Sequence, residues 1–81
     1  MQTIADLKQR ADRALFDERF EQALQLYTTI VEQQPGNLDA RLRVGDALLA
    51  LGEVQAAAVV YTALARNAAL TAYGEAPAPV G

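Results

Sequence analysis

Sliding the 81-residue sequence against itself by 34 positions aligns like with like. Ala11 meets Gly45, Phe20 meets Val54, Ala23 meets Ala57, Tyr27 meets Tyr61 and Pro35 meets Ala69. Small residues fall on small ones and large on large. A fixed period of this length marks one supersecondary unit repeated, in which each unit buries its apolar face by stacking on its neighbour. The chain therefore reads as two copies of one unit.

Each copy reads as a pair of helices. Ile4, Leu7, Ala11, Ala14 and Leu15, then Phe20, Ala23, Leu24, Tyr27, Ile30 and Val31, recur at the spacing of one helical face. Thr3 is placed to cap the first helix, with Asp6 three residues on, and Asp17-Glu18-Arg19 is a short polar break that favours an antiparallel pair. Pro35-Gly36 ends the second helix and Asn37 is placed to cap a third, expected over residues 38–51. Gly52 suits the left-handed position that closes that helix, and Glu53 is expected in the first turn of a fourth running to about Ala68. Beyond Tyr73-Gly74-Glu75, Pro77 and Pro79 alternate with alanine, so residues 73–81 are expected to form a flexible tail or linker.

A helix-turn-helix unit of this period resembles the tetratricopeptide repeat. Residues 4–37 and 38–71 are similar to two such repeats, within a domain spanning residues 1–72. In the second, Val44-Gly45 matches the family's Leu-Gly pair, Leu48 takes its large apolar position, Gly52 is the turn glycine, and Ala57 and Tyr61 follow at the family spacing. The first departs at its start, with Ala11 and Ala14 where glycine and an aromatic are usual and Glu18 in place of the turn glycine. Its second half, Phe20, Ala23, Tyr27 and Pro35, matches. The resemblance implies an all-α fold of four antiparallel helices in a right-handed superhelical stack, whose first helices line a concave groove that holds peptides or segments of other proteins.

Composition narrows the chemistry. The chain has no cysteine, histidine, tryptophan or serine, so neither thiolate or imidazole metal sites nor the common nucleophile and base arrangements can be built from it. No enzyme activity and no cofactor are expected. Seven basic and ten acidic residues give a net charge of −3, which disfavours a nucleic-acid partner. The most apolar stretch, residues 54–65, is short and alanine-rich, so no membrane span is expected. Nothing in residues 1–8 resembles a targeting signal, and the default expectation is a cytoplasmic protein.

By the family's pattern the groove would present Lys8, Gln9, Asp12 and Leu15 from the first repeat and Leu42, Arg43, Asp46 and Leu49 from the second. A plain solvated helix face is the competing reading of these charges. One subfamily grips a C-terminal carboxylate with a clamp of Lys, Asn and Arg over three repeats. Lys8 and Arg43 fall near clamp-like positions, but Asp12 and Asp46 stand where that clamp is neutral or basic, and their charge would repel an added anion. The two aspartates alone are also too few ligands for calcium or magnesium, so no metal is expected. Tyr27 and Tyr61 hold equivalent positions and read as core.

The fourth helix is apolar nearly all round, and a helix of that kind is buried on more than one side. Two repeats supply only one. Val59, Val60 and Leu64 are therefore expected to contribute to an association face, covered by a second copy in a homodimer, by another protein, or by a helix of a longer chain. The expected function is non-catalytic protein-protein interaction, as a small adaptor or scaffold, with self-assembly through the fourth helix, or a role as the truncated repeat domain of a larger protein, as the alternatives.

Overall fold

The structure, a computed structural model, describes residues 3–72, with side chains to residue 67. Four helices follow one another: α1 (Ile4–Phe16), α2 (Phe20–Gln33), α3 (Leu38–Ala50) and α4 (Val54–Ala72). Among the described residues there is no strand. Each helix packs on the next in sequence, α1 on α2, α2 on α3 and α3 on α4.

Local chemistry sets the boundaries. Thr3 Oγ1 accepts from the Asp6 amide at 3.1 Å and Asn37 Oδ1 from the Ala40 amide at 3.0 Å, so α1 and α3 begin where the sequence places their caps. The turns inside the two hairpins have the same construction. Glu18 (φ 63°) and Gly52 (φ 84°), equivalent positions of the two repeats, both adopt the left-handed conformation. The next amide folds back in each case, Arg19 N to Ala14 O at 2.8 Å and Glu53 N to Leu48 O at 2.9 Å, which is the Schellman closure of a helix end. The missing turn glycine of the first repeat thus leaves the turn unchanged and puts a glutamate in a conformation that glycine adopts more cheaply.

Two boundaries differ from expectation. Glu53 precedes α4 rather than lying in its first turn: its amide closes α3, and its carbonyl accepts the first bond of α4, from Ala57 N at 2.9 Å, as a cap residue's does. α4 continues to Ala72, past the expected end at Ala68, since alanine is the strongest helix former and Asn67 is an insufficient break. The proposed tail, residues 73–81, lies outside the described residues, as does Tyr73.

The core is concentrated in the first repeat. Leu7, Ala11 and Ala14 of α1 meet Ala23, Tyr27 and Ile30 of α2, and Ala40 of α3 joins the same cluster. Tyr27 and Ile30 are both 1% exposed, and full burial of such a side chain contributes about 1.5–3 kcal/mol. Their counterparts Tyr61 and Leu64 are only half-buried. Tyr61 is therefore less of a core residue than its position predicts. The reason is positional: α3 covers α2, and no described element covers α4 in the same way. Between α3 and α4 the approach is close, for a Cβ on Gly45 would lie 2.9 Å from Tyr61 Cε1 and 3.2 Å from Val60 Cγ1.

Candidate functional site

The charged residues assigned to the groove come together on α1 and α3. Lys8 Nζ lies 2.8 Å from Asp12 Oδ2, one helical turn along α1, and Arg43 NH1 lies 3.2 Å from Asp46 Oδ2 on α3. Exposed pairs of this kind contribute little to stability, typically about 0–1 kcal/mol, so their value is in where they hold charge. The two helices are close enough to feel each other. Lys8 is raised above its ordinary value, first by the hydrogen bond to Asp12 and then by that carboxylate's charge; Asp39 of α3 adds to the effect and Arg43 opposes it.

The second oxygen of each aspartate is engaged from behind. Tyr27 of α2 donates its hydroxyl to Asp12 Oδ1, and Tyr61 of α4 donates to Asp46 Oδ1 at 2.6 Å. Each aspartate thus stands between a cation on its own helix and a phenol from the following one. Burial pushes the Asp12 carboxyl up, but the hydrogen bonds from Lys8 and Tyr27, with the Lys8 charge, outweigh it and hold it below the ordinary value. Burial and the bond to Asp12 push the Tyr27 phenol well above its ordinary 10.0. The bond to Asp46, helped by burial, raises Tyr61 as well. Arg43 is also raised: desolvation works against its charge, while the bond to Asp46 and the field of Asp39 more than offset it.

Reading each residue separately misses these tyrosine-aspartate bonds. The separation in sequence from Asp12 to Tyr27 equals that from Asp46 to Tyr61, so the repeat carries the pair as a unit. That coincidence is the signal available in the sequence. The ring of Tyr27 is in the core, as its apolar spacing implies, while its hydroxyl reaches the charged face.

The remaining groove residues divide. Leu42 and Leu49 are 39% and 50% exposed on α3, flanking Arg43 and Asp46, whereas Leu15 is half-buried and packs against the first-repeat core. Gln9 lines a neighbouring concavity with Arg10, Arg13 and Asp17. Phe16, 84% exposed at the end of α1, is the most exposed large apolar side chain among the described residues and carries no signal in the repeat pattern, where Ala50 is its counterpart. On α4, Val59 is 69% exposed, while Val60 and Leu64 are half-buried. Val60 packs towards Gly45, so it belongs largely to the α3–α4 contact rather than to an open face. Val59 and Val60 also border a mostly apolar cleft with Val31, Val44 and the charged Arg41, where α2, α3 and α4 meet.

Among the described residues every buried side-chain nitrogen or oxygen has a partner, and no group of three or more carboxylates is arranged to hold a metal ion. No described helix is long and apolar enough to cross a membrane. A family model described as a tetratricopeptide repeat matches residues 14–76. No curated protein and no solved structure matches the chain.

Proposed function

The chain belongs to the tetratricopeptide repeat family, whose members generally mediate protein-protein interaction and are typically non-enzymatic, and we propose that this protein holds a peptide or protein segment against the shared face of α1 and α3. The observation that supports this most is the mixture on that face. Lys8, Asp12, Arg43 and Asp46 are fixed in position by their partners, with the exposed side chains of Leu42 and Leu49 between and beside them. Charge held in place gives register and selectivity, and exposed leucines give area. An adaptor or scaffold needs both and needs no reacting group.

The test is selection of binders from a displayed random-peptide library, followed by affinity measurement on the wild-type chain and on Lys8→Glu with Arg43→Glu. Reversing the two cations should weaken selected peptides by about tenfold, or about 1.4 kcal/mol, with helicity unchanged. Unchanged affinity would remove the assignment of this face.

A second reading rests on α4. Val54 and Val59 are 60% and 69% exposed, and Arg66 is the one charged residue of that helix. Two copies pairing through α4 would bury this surface, making the chain a homodimer that brings together whatever is attached to it.

A further inference from the structure

The second repeat departs from the first at three positions that border one cleft. Leu7, 3% exposed in the core, has the half-buried Arg41 as its counterpart. The exposed Gln25 is replaced by Val59, which is just as open to water, and the half-buried Thr29 by Ala63. The same outer stripe is thus polar on α2 and apolar on α4. Packing within the repeat accounts for neither change. A helix face turned to water has no need of valine, and a position that takes leucine has no need of a guanidinium.

Arg41, Val59 and Ala63 border the cleft with Val31, Val44 and Val60, and its volume is about 200 Å³. Sites for cofactors and drug-sized ligands run to about 300–1,000 Å³, so this one has room for a side chain rather than a whole ligand. Arg41 brings it a cation with donors to spare. Its NH1 makes one long bond, to Pro35 O at 3.4 Å, and it has no ion pair among the described residues. The cleft is also remote from the candidate groove. At 3.6 residues per turn Arg41 stands roughly 160° around α3 from Arg43, and α1 contributes nothing to the lining.

We propose that this cleft docks an extended segment of a partner protein, which seats an aliphatic side chain between α2 and α4 and sets an acidic side chain, two residues away, on Arg41. Charge complementarity names the acid, and the five apolar lining residues name the aliphatic group. The spacing fits as well. Arg41 and Val44 are one turn apart, about 4.5 Å along α3, and the arginine reaches further back, towards Pro35. Residues i and i+2 of an extended segment share a face about 6.6 Å apart. A basic residue in the acid's place would meet like charge, so the site discriminates by sign. This rests on the chain being an interaction module and makes no use of the α1–α3 face.

The test titrates the full isotope-labelled chain with end-blocked peptides in which leucine and glutamate are separated by one alanine, in both orders, beside versions with glutamine or lysine for the glutamate. A glutamate peptide should shift the backbone amide signals of Val31, Val44 and Val60 and bind about fivefold tighter than its glutamine version, the upper value of a surface ion pair. That preference should vanish in Arg41→Gln. Val59→Gln, which restores the first-repeat residue at an exposed position, should weaken both peptides. Lys8→Glu with Arg43→Glu should leave them unaffected, so this site and the α1–α3 face fail separately. No shift at these amides, a lysine peptide that binds as well as the glutamate one, or a glutamate preference that survives Arg41→Gln would overturn the proposal. So would hexanoate shifting the same amides when no peptide does, which makes the cleft a small-molecule site. Shifts that follow protein concentration without peptide would give the cleft to a second copy and overturn it too.

Discussion

Tyr27 is 1% exposed, yet its hydroxyl reaches a carboxylate on the charged face, so one side chain serves both the core and the candidate groove. Removing that hydroxyl keeps the ring's packing and loses a hydrogen bond to a charged group. Tyr27→Phe should therefore cost about 1.5 kcal/mol in urea unfolding, and Tyr61→Phe less, since Tyr61 is half-buried. The pH dependence follows from the direction of the shifts. Tyr27 titrates higher in the folded chain than its ordinary 10.0, so its contribution is fully present below that value and is lost as pH rises through the folded one. Asp12 titrates lower than its ordinary 3.8, so its contribution is present above that value and is lost as pH falls through the folded one. Stability should be flat through neutrality and fall at both extremes, and Tyr27→Phe should flatten the alkaline limb. An alkaline limb identical in the variant would show that other groups cause it. The bond is hidden from a residue-by-residue reading for a physical reason: spacing assigns the ring to the core and the aspartate to the surface, and both assignments are correct for the parts they describe.

At the scale of the helices, the two hairpin turns and the α3–α4 contact make opposite demands on glycine. Glu18 adopts a left-handed conformation that costs a residue with a Cβ about 1 kcal/mol, so Glu18→Gly should stabilise the chain by up to about that amount in thermal unfolding. Gly45 is required for space. Gly45→Ala would drive its Cβ to 2.9 Å from the Tyr61 ring and should destabilise by about 1–3 kcal/mol through overpacking, moving the ring and with it the bond to Asp46. A neutral Gly45→Ala would mean α4 shifts freely on α3. Helices α1 to α3 and both caps were legible because periodicity, Thr3 and Asn37 each carry a local mechanism. The length of α4 was less so. Its alanines extend a helix without any alternation to mark where it stops, and the backbone bonding that takes Glu53 out of its first turn is invisible in residue type.

At the scale of all four helices, the decisive asymmetry is between α1 with its C-terminal cap, where Asp6, Arg10, Arg13 and Asp17 are exposed, and the apolar α4, where Val54 and Val59 are. The sequence made the apolar character of α4 plain. It did not separate Val59, which is open, from Val60, which already packs towards Gly45, because helical spacing gives the angle of a residue but not what stands opposite. If α4 pairs with its own copy, molar mass and helicity should fall together on dilution, since folding and association are then linked. A monomer mass with unchanged helicity from high to low concentration would leave α4 open to a different protein and remove the homodimer reading.

The pairing of each tyrosine with an aspartate also gives the chain an optical property. There is no tryptophan, so tyrosine dominates its ultraviolet emission, and a phenol bonded to a carboxylate readily gives up its proton in the excited state and fluoresces weakly at the usual tyrosine wavelength. With Tyr73→Phe to silence the third ring, Tyr27 and Tyr61 become intrinsic reporters, one for each repeat. A ligand that draws Asp12 or Asp46 away from its phenol would brighten the corresponding ring, so occupancy of the groove could be read without a label.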